Sequence, residues 1–403
     1  LDANLDALNR YEKLAGEFDF DFSYKDSYIY SLNDKKRMRL EAAIVRELGF
    51  PAEFTDTTEL PMKVAGAVRF PKMAQFHPLK LIFSLCENLN IYETMYTEQI
   101  YKEMGIIEFH PFRIEDKKMI DGFFRIHHYE QIDCTFNTLF IWQKAHDTSW
   151  AVQDNILFIR AGHGKDLFFL PPFAKEEEEF KHGLDLIHEE LDKLGMPFRL
   201  KSASRWVTEQ IERLLPGKYD FIEDRDNEEY VYRTADMISL PGKKLRMKKN
   251  HLNAFLRQYG GDYTYESITK ENMEDAKAGI HEWFERHGDI EEEEEAMKIC
   301  FDNWDELGVK GAIIRIYGKV EAFTNGDLVN ERMAHIIFEK ANPNIRGLYQ
   351  AINRDFLIHE FADTEFVNRE EDLGIEGLRE AKMGYNPDHL TEKFDVVLKK
   401  SSD

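Results

Sequence analysis

Residues 333 to 361 have the sequence MAHIIFEKANPNIRGLYQAINRDFLIHEF. The apolar run from Met333 to Lys340 predicts a buried strand, and apolar residues recur at helical spacing from Ile345 to Phe361. Asn344 is a residue type that caps helices, so Gly347 is expected in the first helical turn. A strand that leads into a helix with exposed first-turn amides predicts a site for a phosphate or a carboxylate.

Polar motifs follow this strand and helix closely along the chain. They are FVNREEDLG at Phe366 to Gly374, a short helical pattern GLREAK at Gly377 to Lys382, and GYNP at Gly384 to Pro387. So many charged groups between apolar elements favour a functional site over an ordinary polar surface.

The composition is that of an ordinary globular protein of two or three domains. The chain has 403 residues, of which 43% are hydrophobic and 32% are charged. A net charge of −23 argues against broad, non-specific binding of nucleic acid but leaves room for a local basic site.

Nothing in the sequence indicates a membrane span, a metal site or a disulfide framework. No apolar run approaches the ~18 residues that a span requires, and no signal-peptide pattern is visible, so we expect a cytoplasmic protein. The chain has three widely spaced cysteines, Cys86, Cys134 and Cys300, and this pattern suits reduced thiols. The histidines do not have the spacing of metal ligands.

The first hundred residues differ from the rest of the chain in their pattern of residue types. The stretch LPMKVAGAVRFPKMAQFHPLK, Leu60 to Lys80, resembles the substrate-binding region of the FAD-dependent, D-amino-acid-oxidase-like family. Members of that family hold FAD with a Gly-rich strand-turn-helix, whereas the nearest motif here, Ala161 to Asp166, has only two glycines. We therefore expect no bound FAD. Residues 1–100 are predicted to be a truncated α/β fragment, fused to another protein and without a complete sheet of its own.

The order of elements after Met104 predicts the GNAT acyltransferase fold. From Tyr265 onward the pattern is helix, helix, three strands, helix, strand, helix and strand, and the preceding region shows a looser version of that order. The predicted fold class is therefore a mixed α/β tandem of GNAT-like domains, at residues 104–262 and 263–403.

The region from about Ile106 to Lys399 resembles the family named for the C-terminal domain of phosphatidylglycerol lysyltransferases, a double-GNAT family. Besides the late motifs, the resemblance rests on FIEDRDNEEYVY (Phe221 to Tyr232), DMISLPGKKLRMKKNHLN (Asp236 to Asn253) and EAFTNG (Glu321 to Gly326). Characterised lysyltransferases also carry a membrane flippase domain, for which this sequence has no counterpart. We therefore expect a small-molecule acceptor rather than a lipid.

A basic helix is predicted from Leu245 to Tyr259, and it could bind the phosphates of a tRNA acceptor end, a CoA or an anionic lipid. Alternatively, it is an exposed helix that balances an acidic protein. Directional donors at positions 250, 251 and 253 favour binding. The candidate residues are Lys243, Lys244, Asn250, His251 and Asn253.

Glu339 and Lys340 end the central strand and are the candidate catalytic residues. The lysine could stabilise the oxyanion of an acyl-transfer intermediate, and the glutamate could accept a proton from the attacking amine. An ion pair that ties the strand to a neighbour is an equally good explanation.

Five polar or small residues are candidates for donor binding: Arg346, Gly347, Tyr349, Asn353 and Asn368. We expect the strand that ends at Lys340 to diverge from the strand at Glu365 to Asn368, and to open a cleft for the donor.

The charged residues of the late motifs are candidates for substrate binding: Arg369, Glu370, Asp372, Arg379 and Lys382. The acidic residues could bind an amine substrate. They could instead form a structural network with the neighbouring basic residues.

These patterns predict a transferase that moves an acyl or aminoacyl group from acyl-CoA or aminoacyl-tRNA to an amine or hydroxyl. Positioning and oxyanion stabilisation suffice for that reaction, so no tightly bound cofactor is expected. Two alternatives are a non-catalytic module that binds an anion or a tRNA end, and a flavin oxidoreductase.

Overall fold

The computed structural model describes residues 10–16, 21–58, 63–75, 107–287 and 291–399, and the chain divides into two compact units, 1–100 and 101–403. In the first unit, a three-stranded antiparallel sheet has the order β1-β3-β2, and a helix packs on it. Its elements are β1 (Ser23–Ser31), α1 (Lys35–Glu47), β2 (Glu53–Thr55) and β3 (Gly66–Gln75).

The expectation that this unit lacks a sheet of its own was wrong. The Tyr- and Phe-rich stretch that precedes α1 is itself a strand, and Ala42, Ala52 and Val68 form a small core beneath it. A predicted second strand, Ile91 to Tyr96, lies outside the described residues, as does a predicted helix at Pro78 to Leu89.

The second unit contains a six-stranded and a seven-stranded mixed sheet. The six-stranded sheet has the order β4 (Ser149–Gln153), β5 (Ile156–Ala161), β6 (Phe168–Phe169), β7 (Arg199–Ala203), β16 (Phe394–Leu398) and β8 (Tyr219–Glu223). The seven-stranded sheet has the order β10 (Tyr263–Ser267), β11 (Lys310–Ile316), β12 (Lys319–Asn330), β13 (Met333–Ala341), β14 (Phe366–Asn368), β9 (Glu229–Arg233) and β15 (His389–Thr391).

Helices cover the faces of these sheets and bury three large apolar clusters against them. The helices of the N-terminal half are α2 (Lys117–Phe124), α3 (Phe136–Ile141), α4 (Gln143–His146), α5 (Glu177–Lys193) and α6 (Arg205–Leu214). Those that follow are α7 (Thr234–Ser239), α8 (Arg246–Tyr259), α9 (Met273–His287), α10 (Glu291–Asp302), α11 (Trp304–Leu307), α12 (Leu348–Glu360) and α13 (Glu376–Met383).

The two sheets exchange strands across the predicted boundary at residues 262 and 263. Strand β9 precedes this boundary but pairs with β14 and β15, and β16 follows it but lies between β7 and β8. The order of the C-terminal half is otherwise the GNAT-like order predicted from the sequence.

Helix α12 starts three residues later than the sequence predicts, and Asn344 does not cap it. The N-cap is Gly347, which has a left-handed φ of 87° and makes no side-chain cap bond. Asn344 instead belongs to a turn in which its amide donates to the side chain of Asn342. The helix packs on the sheet, where the Phe356 ring would lie 3.3 Å from a Cβ at Gly326 in β12, and it also contacts α8.

Candidate functional site

Strand β13 has an open edge where its parallel partner stops. It pairs with β14 only from Met333 to His335, opposite Phe366 to Asn368, whereas its pairing with β12 continues to Ala341. The register with β12 slips at Ile337, a bulge of the kind often found beside functional sites. From Ile336 onward, no strand of the described chain pairs with the side of β13 that faces away from β12.

Side chains, rather than backbone hydrogen bonds, connect β13 to the loop after β14. His335 Nε2 lies 3.1 Å from Glu370 Oε1, and Arg369 Nη2 donates to Glu339 Oε1 at 2.8 Å. Asn353 of α12 donates to the second oxygen of Glu339, also at 2.8 Å. Burial alone would lower the pKa of Arg369, but Glu339 raises it above its ordinary value.

The two predicted catalytic residues lie on opposite faces of β13. Glu339 contacts α12, whereas the Lys340 ammonium lies 2.6 Å from Glu293 of α10 and 4.6 Å from the ring centre of Trp283 in α9. Adjacent side chains of a strand alternate in this way. The two residues therefore cannot both reach the same substrate carbonyl. The sequence interpretation had given both of them a role there.

Arg346 and Gly347 precede the helix instead of forming its first turn. Arg346 is exposed, and Gly347 is buried against α8. A Cβ at Gly347 would lie 2.1 Å from the carbonyl oxygen of His251, so the glycine permits two backbones to approach each other. Tyr349 is half-buried behind this loop, and burial raises the pKa of its hydroxyl.

Four cationic or titratable groups, which we call the basic cluster, gather around this loop: Lys248, His251, Arg346 and Arg369. Burial lowers the pKa of His251, and the charges of Arg346 and Lys248 lower it further. Burial also lowers the pKa of Lys248, as does the charge of Arg369. Like charges therefore lie close to one another at this loop, and of the four groups Arg369 is also paired with Glu339.

An aromatic wall holds two members of the basic cluster in place. The Lys248 ammonium lies 4.1 Å from the centre of the Tyr385 ring, and the Arg369 guanidinium lies 5.0 Å from it. Both are cation–π distances. Gln350 of α12 donates to the Tyr385 hydroxyl at 2.9 Å. The GYNP motif therefore contributes to the site through its tyrosine.

The sequence model of the phosphatidylglycerol lysyltransferase C-terminal family matches residues 124–397, about two thirds of the chain. The chain belongs to this family. A solved protein of unknown function from Bacteroides thetaiotaomicron VPI-5482 is 31% identical, with 73% of this chain and 100% of that chain covered at a TM-score of 0.68. The structure of L-PGS from Bacillus licheniformis is 16% identical, with 71% and 93% covered at a TM-score of 0.51, and shows a similarity of fold.

An uncharacterized protein of Mycoplasmoides gallisepticum is 22% identical over 184 residues, which are 45% of this chain and 59% of that protein. The chain thus covers less than two thirds of that relative's length. The predicted fold class, a mixed α/β tandem of GNAT-like halves, agrees with the family match and with the observed order of elements.

In this member of the lysyltransferase C-terminal family, Asp372 of the loop after β14 belongs to a structural network. Asp372 is fully buried, accepts two hydrogen bonds from Arg379 at 2.7 and 2.8 Å, and accepts another from Tyr230. The bonds from Arg379 hold the pKa of Asp372 well below its usual range. Lys382 donates to the carbonyls of Arg369 and Glu371, and this fixes the path of the loop.

Asn368 is buried away from the open edge of β13. Its amide donates to the carbonyl of Glu130 at 3.1 Å and to Glu229 at 2.5 Å, and its oxygen accepts from the amide of Glu370. It therefore connects the two halves of the unit, a role that its predicted place beside the donor did not suggest.

The remaining candidates lie on or just before α8. Lys243 and Lys244 are exposed in the turn that precedes this helix, and Asn250 and Asn253 are exposed along it. The structure brings only His251 of the five predicted α8 candidates into the basic cluster. Sequence reasoning counted Lys248 only as one cation of the basic helix and did not select Tyr385, because neither helical spacing nor the GYNP motif shows that the two residues meet.

Within the described part of the chain, no group of three or more His, Cys, Asp or Glu side chains is arranged to hold a metal ion. Likewise, no described helix has the length and apolar character needed to cross a membrane.

Proposed function

We propose that the chain is an acyl- or aminoacyltransferase that uses acyl-CoA or aminoacyl-tRNA as donor and an amine or hydroxyl as acceptor. The observation that carries this proposal is the basic cluster at the end of β13, beside the strand's open edge. Both possible donors carry phosphates, which in acyl-CoA lie at the far end of the pantetheine arm from the thioester, and the cluster offers cations. Burial, and after it the charges of neighbouring cations, lowers the pKa values of Lys248 and His251 in this cluster. Membership of the lysyltransferase C-terminal family supports a transferase.

The proposed reaction requires positioning and one proton transfer. The acceptor nitrogen or oxygen bonds to the donor's carbonyl carbon, and the carbon–sulfur or carbon–oxygen bond to the donor breaks. The proton that the acceptor loses ends on the departing sulfur or oxygen, which leaves as the CoA thiol or the tRNA hydroxyl. The unpaired edge of β13 can hold an extended donor arm through backbone hydrogen bonds, as an added strand would. Glu339 lies on the part of β13 beyond its pairing with β14 and contacts Arg369 of the basic cluster, and we assign it the proton.

We assign Arg369 the oxyanion-stabilising role that sequence analysis predicted for Lys340. Its guanidinium is the cation in contact with Glu339, whereas Lys340 pairs with Glu293 on the other face of the strand. The developing negative charge on the substrate oxygen would therefore be stabilised from the Arg369 side.

Calorimetric titration with CoA, acetyl-CoA and a charged tRNA mimic tests donor binding. We expect Arg346→Ala to lose roughly 1–3 kcal/mol of binding free energy, the scale of a hydrogen bond to a charged group. Arg125→Ala, which removes an exposed arginine at the end of α2, is the matched control and should bind like the wild type. Equal binding by both variants would place the donor site elsewhere.

The competing interpretation is a binding module without catalysis. It is favoured by Glu339, which already accepts hydrogen bonds from both Asn353 and Arg369 and is mostly buried. A turnover assay with each donor and a panel of amines separates the two functions. Donor binding that depends on Arg346, without transfer to any acceptor, would favour the binding module.

A further inference from the structure

A cavity of about 180 Å³ lies on the face of β13 opposite the basic cluster. Helix α9 forms one wall with Trp283, the first residues of β12 form the other with Glu321 and Phe323, and Lys340 and Asn344 close it at the end of β13. Its volume is far above the ~10–15 Å³ that one water requires. The proposed donor chemistry uses none of this space.

The cavity has a positive and a negative group that each retain hydrogen-bonding capacity. The Lys340 ammonium has three donors, and its ion pair with Glu293 at 2.6 Å occupies one of them. Glu321 accepts from Asn342 at 2.8 Å through one oxygen, which leaves its other oxygen for a second donor. The aromatic rings of Trp283 and Phe323 lie beside these two groups.

The charges of the lining are balanced, which limits the class of ligand. Glu282 and Glu321 oppose Arg286 and Lys340, so a phosphate dianion would gain little here compared with the basic cluster. An apolar ligand would leave polar groups without water or a partner, which costs free energy. A small molecule that carries both charges matches the lining at both ends.

We infer that this cavity binds a small zwitterion of the α-amino-acid class. The ligand carboxylate accepts from Lys340, the ligand ammonium donates to Glu321, and the ligand side chain packs on Trp283 and Phe323. This site is separate from the donor site and does not depend on whether the chain transfers an acyl group.

Calorimetry on the full chain, without any donor, tests the inference. The probes are alanine, lysine and glutamate, together with butylamine, butyrate and inorganic phosphate, each at millimolar concentration. We expect at least one amino acid to bind, and the single-charge probes and phosphate to bind at least tenfold more weakly. Lys340→Met and Glu321→Gln should each weaken amino-acid binding by at least tenfold.

Controls separate loss of the site from loss of the fold. Lys298→Met removes an exposed lysine of α10 and should bind amino acids like the wild type. Lys340→Met leaves Glu293 without its cation, so its unfolding curve must be compared with that of the wild type. Glu321→Gln keeps shape and hydrogen bonding and therefore gives an answer even if Lys340→Met is unstable.

Three results would overturn the inference. They are the absence of binding by every amino acid, amino-acid binding that both variants retain, and binding of butyrate or butylamine as tight as that of the amino acids. Failure of CoA or tRNA to bind would count against the proposed function and leave this test unaffected.

Discussion

Gly347 lies where the loop after β13 meets α8, and two properties of its position require glycine. Its φ of 87° is in the left-handed region, and a Cβ there would lie 2.1 Å from the His251 carbonyl oxygen. A valine at this position would therefore push the loop before α12 away from α8.

We predict that Gly347→Ala destabilises the protein more than Gly318→Ala does. Gly318 has a similar φ of 82° but nothing within 4 Å of an added Cβ, so its variant reports backbone strain alone. The difference should be roughly 1–3 kcal/mol, the usual cost of forcing an atom into a packed site. Urea unfolding of both variants measures it, and equal losses would show that the helices move apart freely.

His335 is a buried cation between two carboxylates. Its Nδ1 lies 3.1 Å from Asp327 and its Nε2 3.1 Å from Glu370. Burial alone would lower the pKa of His335, but the hydrogen bonds to Asp327 and Glu370 raise it to about 10. The imidazolium therefore persists at neutral pH and holds β13 to the loop that carries Arg369.

The pH dependence of stability follows from that raised pKa. Because the folded pKa exceeds the unfolded value of ~6.5, the contribution of His335 is complete below pH ~6.5 and is lost as pH rises toward 10. We expect His335→Gln to cost on the order of 3–5 kcal/mol at pH 6.5, and less as the pH approaches 10. Urea unfolding of both proteins at several pH values checks this, and a pH-independent difference would contradict it.

At the scale of elements, the long periodic segments were predictable and the short paired ones were not. The sequence indicates β13, α12, α8 and β9 to within a few residues, because burial on one face imposes a clear period. It gave no sign of β7 or β8, and it predicted one strand after α13 where the structure has two, β15 and β16. A three-residue strand such as β15 has no measurable period, and its partner lies about 160 residues earlier in the chain.

The candidate site was only partly predictable for the same reason. The sequence points to the loop after β13 and to the motif that begins at Asn368. It cannot show that Arg369 crosses the gap to Glu339, or that Lys248 meets Tyr385, because these contacts depend on how α8, α12 and α13 pack. The sequence implies that Glu339 and Lys340 point to opposite faces of β13. It does not show which of these faces would meet the donor.

The turn before α8 is expected to contribute to the salt dependence of donor binding. Lys243 and Lys244 are exposed just ahead of the basic cluster, where they can add phosphate contacts with a long donor. Changing both to Glu should weaken binding of a charged tRNA mimic. It should also reduce the slope of log affinity against log salt by about 0.7–0.9 per lost contact. Titrations at several salt concentrations measure this slope, and an unchanged slope would make the turn an ordinary surface.

At the scale of the whole molecule, the strand exchange makes residues 101–403 one cooperative structure. Lys393 precedes β16 and lies 2.6 Å from both Asp133 and Glu229, where Glu229 begins β9. Burial alone would lower the pKa of Lys393, but Asp133 and Glu229 raise it well above its ordinary value. A buried ion cluster thus lies where each sheet receives a strand from the other half.

We therefore predict that the fragment 101–403 folds, and that the fragments 101–262 and 263–403 do not fold separately. The first half would lose β16 from between β7 and β8, and the second would lose β9 from between β14 and β15. Each half would also keep part of the Lys393 cluster without its partners, at a cost on the order of 3–5 kcal/mol. Near-ultraviolet circular dichroism and urea unfolding of each fragment provide the measurement.

Native-like spectra should return when the two halves are mixed, because mixing restores both exchanged strands. The cut at residue 100 is the matched control, since it follows the division between the two compact units. Cooperative unfolding of 263–403 alone would show that β9 and the Lys393 cluster are dispensable, and that the boundary at 262 separates independent domains.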